Sequence, residues 1–122
     1  MIWELKSDRP IYAQLMEQIK LSIIAGEYAA GDKLPSIRDL AAQAAVNPNT
    51  MQKAFMELER EGLAYSQRTS GRFITEDKEM IDNMRDQLAI KQISEFLGKM
   101  EKLGYDQQKT IDLINHIGKE SN

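Results

Sequence analysis

The tightest constraint on this chain is the dipeptide Asn47-Pro48, lodged between two apolar-periodic runs in LPSIRDLAAQAAVNPNTMQKAFMELEREG, residues 34–62. Proline lacks an N–H and holds φ near −65°, so in a helix it is tolerated only in the first turn. Asn47 before it has a side-chain oxygen suited to capping the free amides that follow. One helix therefore starts at Pro48, and the preceding one has already ended. Ser36 is placed to cap that earlier helix, with Asp39 at the capping-box position three residues on. Gly62 supplies the stop. Within the second helix Met51, Phe55 and Leu58 recur on one face, which leaves Asn49, Gln52 and Lys53 on other azimuths.

The flanking segments complete a pattern. From Pro10, the residues Ile11, Leu15, Ile19 and Ile23, with Tyr12 and Met16 alongside, fall at helical spacing, and Gly26 ends the run. The following EYAAGDKLP contains Gly31, Asp32 and Pro35 and reads as a loop connector. After Gly62 the period changes. Leu63, Ala64, Tyr65 and Ser66 lead into a turn at Gln67 to Gly71, and Arg72, Phe73, Ile74 and Thr75 follow as a second strand-like run. At the N-terminus Ile2, Trp3 and Leu5 make a brief strand or an anchor, with Trp3 read as a core plug. Three helices followed by a hairpin is the order of a winged helix-turn-helix, the hairpin being the wing.

Residues 76–122 turn helical and acidic. Ile81, Met84, Leu88, Ile93, Phe96, Leu97, Met100 and Leu103 form an apolar stripe. After a break at Gly104, Asp106 caps a last helix whose apolar positions include Ile111, Leu113, Ile114 and Ile117. Such faces need a cover, and the same pair of helices from a second chain would provide it. The expected fold is mainly α (α+β winged helix): residues 1–75 as a winged helix-turn-helix DNA-binding domain with a two-strand wing, and 76–122 as a two-helix dimerisation tail.

Charge restrains the reading. Residues 1–75 carry nine basic and nine acidic side chains, whereas 76–122 carry seven and ten. A neutral N-terminal half lends no electrostatic support to polyanion binding. The chain has no cysteine, hence no disulfide, thiolate metal site or thiol nucleophile. Its single histidine, His116, makes neither a metal site nor a triad alone and reads as an interface or surface residue. No phosphate loop or hydrolase elbow is present, so an enzyme is not expected and no cofactor is implied. The absence of a membrane-length apolar run and of a signal-peptide pattern points to a cytoplasmic protein.

The run PIYAQLMEQIKLSIIAGEYAAGDKLPSIRDLAAQAAVNPNTMQKAFMELEREGL resembles the DNA-binding domain of GntR-family bacterial transcription regulators. The short tail and the VNPNT sequence are similar to the YtrA-like subfamily, whose C-terminal part is too small for a ligand-binding domain. The resemblance implies a regulator, by association a repressor of ABC-transporter operons. It places Arg38 on the backbone- or base-contacting arginine, Asn49, Thr50, Gln52 and Lys53 on the recognition helix, and Gly71 at the wing tip. Pro48 and Gln52 stand where many relatives have arginine, so an arginine-to-guanine contact is not implied there.

Chemistry sets the expectations for each group. Asn and Gln pair bidentately with adenine, and lysine meets guanine or phosphate. Ser36 and Asn47 join the expected DNA-facing set, Asn47 primarily as a cap. Arg38 lies near a helix N-terminus, where its charge opposes the dipole, and the alternative for it is a surface pair with Asp32 or Asp39. Arg68 and Arg72 flank the turn containing Ser70 and are expected in the minor groove, against the alternative of solvated turn charges. Met51, Met56, Met80, Met84 and Met100 read as core or dimer-interface filler. The expected partners are double-stranded operator DNA and a second copy of the chain, with no membrane and no identifiable effector. The rival reading is a winged-helix module that binds protein.

Overall fold

Pro10 opens α1 (Ile11–Ile24) in the computed structural model, which describes residues 3–120. The chain continues through α2 (Ile37–Ala44), α3 (Pro48–Arg60), β1 (Ala64–Gln67), β2 (Gly71–Ile74), α4 (Lys78–Lys102) and α5 (Gln107–Glu120). It divides into two compact units, Met1–Met84 and Arg85–Asn122.

In the first unit α3 is the element on which the others pack: α1, α2 and β1 all lie against it. Its inward face, Met51, Ala54, Phe55 and Leu58, is buried together with Leu15 and Ile19 of α1, Leu40 of α2 and Ile74 of β2. Local chemistry sets the helix starts. The Ser36 hydroxyl accepts from the Asp39 amide at 3.1 Å, and Asn47 Oδ1 accepts from the Asn49 amide at 2.8 Å. Between them the chain reverses at Ala45, whose φ of 57° and ψ of 44° are left-handed. A residue with a Cβ adopts that conformation at a cost of about 1–2 kcal/mol. The Val46 amide, bonded to Ala41 O at 3.0 Å, helps fix the turn.

The wing is an antiparallel hairpin in the register Ala64↔Ile74 to Gln67↔Gly71. The segment read as a plain connector also pairs with it: Lys33 bridges to Phe73, Leu34 N donates to Arg72 O at 2.8 Å, and Ile74 N donates to Asp32 O at 2.8 Å. The base of β2 is thus held on both edges.

Trp3 and Leu5 lie in no strand, and Ile2 is outside the described residues. Two glutamines of α1 anchor this segment instead. Gln14, buried, accepts from Lys6 N at 2.7 Å and donates to Lys6 O and Arg9 O, while Gln18 bonds both Glu4 N and Glu4 O. Each side-chain amide substitutes for the backbone groups of a neighbouring strand. Trp3 is only half-buried, so it is not the core plug expected, and its buried indole N–H has no hydrogen-bond partner among the described residues.

In the second unit α4 runs on to Lys102, the chain turns through Gly104 at φ +91°, and Asp106 Oδ1 accepts from Lys109 N at 2.8 Å to start α5. Among residues 85–120 only Thr110 is buried.

Candidate nucleic-acid interface

The outward face of α3 is polar at its N-terminal end because its apolar residues are used on the other side. Asn49 and Lys53 are exposed, and Thr50 and Gln52 are half-buried. Asn47 spends its side-chain oxygen on the helix cap, which leaves its NH2 group for other partners. Lys53 Nζ lies 4.0 Å from the centre of the Tyr12 ring on α1. A cation over an aromatic face at an exposed site gains about 0.5–1 kcal/mol, enough to bias the lysine's direction.

A cleft of about 630 Å³ opens between the start of α2 and the wing, with Tyr28, Lys33, Ser36, Ser70, Gly71 and Arg72 on its walls. Gly71 has φ +110°, and a Cβ there would stand 3.2 Å from Lys33 Cε. Glycine therefore lets the lysine stem cross the wing at its turn end. Burial, and then the neighbouring Glu27, push the Tyr28 phenol above its ordinary value of 10.0. Arg38 is exposed and has no ion pair with Asp32 or Asp39; the Asp32 carboxylate instead accepts from Ala29 N at 2.8 Å.

The wing arginines, read as equivalent from the sequence, are not. Arg68 is exposed in the turn and forms no ion pair among the described residues. Arg72 is tied down: its Nε sits 3.0 Å from Glu59 Oε1, its guanidinium lies 5.8 Å from the centre of the Phe55 ring, and the Ser66 hydroxyl donates to the same carboxylate oxygen. Its geometry fixes the wing to α3, a role that residue counting in a hairpin does not reveal.

Met56, read as core or dimer-interface filler, is not in the core: it is 58 % exposed on the outward face of α3. The signal was present in the spacing: Met56 is seven residues after Asn49, four after Gln52 and three after Lys53, so all share one face.

The tail residues separate into classes. Ile81 and Met84 are buried and lie within the first unit. Leu88, Leu97 and Met100 are half-buried, whereas Ile93, Phe96, Ile111, Ile114 and Ile117 are exposed. Leu103 and Leu113 are exposed as well, and Ile90, also exposed, extends the apolar set. His116 Nε2 lies 3.2 Å from Glu120 Oε1 in an exposed pair. Among the described residues no group of three His, Asp or Glu side chains could hold a metal ion, and no helix is long and apolar enough to cross a membrane.

Comparison with known proteins places this geometry. The sequence pattern described as "Bacterial regulatory proteins, gntR family" matches residues 11–74, from the start of α1 to the end of β2. The HTH-type transcriptional repressor YtrA of Bacillus subtilis (strain 168) is 34% identical over 113 residues, covering 92% of this chain and 87% of YtrA. A solved GntR family transcriptional regulator from Listeria monocytogenes superposes with a TM-score of 0.83 at 38% identity, covering 92% of this chain and 98% of that one. The AraR DNA-binding domain, solved in complex with operator ORE1, superposes with a TM-score of 0.53 at 32% identity, covering 62% of this chain and 94% of that one.

Proposed function

This chain belongs to the gntR family of bacterial regulatory proteins, and from that premise we propose that it is a homodimeric, sequence-specific repressor acting on an inverted-repeat operator in the cytoplasm. The observation that carries the reading is the outward face of α3. It presents Asn49, Gln52 and Lys53 in a winged helix-turn-helix whose relative AraR is solved on operator DNA. In this reading α3 enters the major groove, Arg38 and the cleft beside α2 meet the phosphate backbone, and Arg68 at the wing tip reaches the adjacent minor groove. Arg72 supports the wing from behind. YtrA is a repressor, which favours repression here, and the operon class implied by the resemblance is one encoding an ABC-type transporter.

Dimerisation is the second part of the proposal, and the exposed apolar side chains of the second unit support it. Residues 85–120 bury only Thr110 among those described, so α4 and α5 do not close a core of their own. A second copy covering Ile93, Phe96 and Ile114 would pair two recognition helices, whose half-sites then lie about one helical turn, roughly 10 bp, apart.

The experiment is a gel shift of the full chain on DNA upstream of its own gene and of neighbouring transporter genes, with sedimentation equilibrium in parallel. Saturable retardation that resists competitor DNA is expected, together with a dimer mass. The double variant Ile93→Lys, Ile114→Lys is expected to sediment as a monomer and to bind at least tenfold more weakly. Retardation abolished by any competitor would favour the protein-interaction module that the neutral charge of residues 1–75 suggests.

A further inference from the structure

We propose that Met56 reads thymine: its side chain forms the apolar end of the α3 reading stripe and packs against thymine 5-methyl groups in the major groove. The inference deepens the DNA-binding reading above and rests on it. Asn49, Gln52, Lys53 and Met56 fall at i, i+3, i+4 and i+7, one continuous face of the helix. Met56 Cα stands about 10.5 Å along the axis from that of Asn49, at 1.5 Å per residue. That is a shift of about three base pairs at 3.4 Å each. A helix lying in the groove thus offers amide and ammonium groups to one end of a half-site and a thioether to the other.

Met56 is not needed for folding α3, whose opposite face already seats Met51, Ala54, Phe55 and Leu58 in the core. Its 58 % exposure leaves the unbranched side chain free to take the rotamer a partner requires. The 5-methyl of thymine is the apolar group that the bases present in the major groove, and it is the complement of such a side chain.

The charges around Met56 fit a polyanion. The C-terminal half of α3 and its cap carry Glu57, Glu59 and Glu61, which would repel phosphates, yet each is matched by a cation. Glu57 pairs with Arg60, Glu59 with Arg72 at 3.0 Å, and Glu61 with Lys20 at 3.1 Å. Lys53, one turn before Met56, forms no ion pair among the described residues and is held only over the Tyr12 ring. The stripe therefore carries one ammonium outside any ion pair and is bordered by neutralised acids, a setting suited to the groove of a duplex rather than to a basic protein surface.

The test begins with selection from a randomised duplex library by the full wild-type chain. Each thymine of the selected site is then replaced by deoxyuridine, which removes only the methyl group, and affinities are measured for wild type, Met56→Ala and Met56→Gln. At one or two positions per half-site the wild type is expected to lose roughly fourfold per methyl, the equivalent of about 0.8 kcal/mol per buried carbon. Met56→Ala should be indifferent to the same replacement while keeping the wild-type thermal midpoint. Met56→Gln should select adenine at that position, since its amide pairs with adenine. The thymine assignment is overturned if the wild type binds its site yet every uridine is silent, or if the uridine penalty persists undiminished in Met56→Ala. A wild-type chain that enriches no sequence overturns the DNA-binding reading and this assignment with it.

Discussion

Phe55 and Phe96 are both aromatic residues on amphipathic helices, and their fates differ: the first is 0 % exposed at the centre of the winged unit, the second 43 % exposed on α4. The N-terminal unit closes its own core around α3. The C-terminal unit presents its apolar residues outward and has nothing of its own to close on. One unit is thus specified by its internal contacts, and the other leaves apolar side chains that a second copy of the chain would cover.

Two substitutions would break that comparison if it is wrong. Phe55→Ala empties a fully enclosed site, so a loss of about 3–5 kcal/mol is expected, enough to leave much of a small domain unfolded. Phe96→Ala removes a ring already in contact with solvent within its own chain. Its effect should appear as weaker self-association, and its cost in thermal stability should shrink as protein concentration rises, because mass action restores the dimer. Urea unfolding at two protein concentrations, with sedimentation equilibrium, separates the two. A concentration-independent loss for Phe96→Ala as large as that for Phe55→Ala would mean that α4 is folded by its own chain.

The same division governs what could be read from the sequence. Ser36, the Asn47-Pro48 pair and Gly62 announce helix ends because capping is chemistry between residues two or three positions apart. The inward face of α3 was legible because its period is local too. The pairing of Lys33 and Leu34 with β2 was not, since a strand partner supplied by a loop leaves no periodic trace. Nor was the commitment of Arg72 to Glu59, thirteen positions away, or the burial of Gln14 among backbone groups of the N-terminal segment. Ala45 hid a left-handed turn, because left-handed backbone is normally signalled by glycine or asparagine. Met56 is different: its exposed position on the outward face was readable from the spacing it shares with Asn49, Gln52 and Lys53.

A smaller effect sharpens the role of the cap within the self-contained unit. Asn47→Ala removes the acceptor for the Asn49 amide and should cost about 1 kcal/mol in urea unfolding. Asn47→Asp keeps a capping oxygen and adds a negative charge favourable to the helix N-terminus, so stability should be retained. Operator affinity should nevertheless fall for the aspartate, which brings a like charge toward phosphate. Unchanged affinity with unchanged stability would confine Asn47 to capping.

The smallest expected effect concerns how α1 is held against α3. Lys20 Nζ and Glu61 Oε2 are 3.1 Å apart, with side-chain exposures of 18% and 42%. An ion pair this accessible contributes about 0.2–1 kcal/mol at most, and less once the glutamate's exposure is discounted. The same two helices bury Leu15, Ile19 and Phe55 between them and their neighbours, which outweighs the pair several-fold. Glu61→Gln is therefore expected to lower stability by no more than about 0.5 kcal/mol, and the difference should vanish in about 1 M salt, where the screening length is about 3 Å. The Phe55→Ala loss should persist under the same conditions, because removing a buried ring is not a charge effect. A Glu61→Gln cost above about 1 kcal/mol that survives high salt would transfer the α1–α3 contact from apolar packing to electrostatics, and the winged unit would no longer be the region that holds itself together.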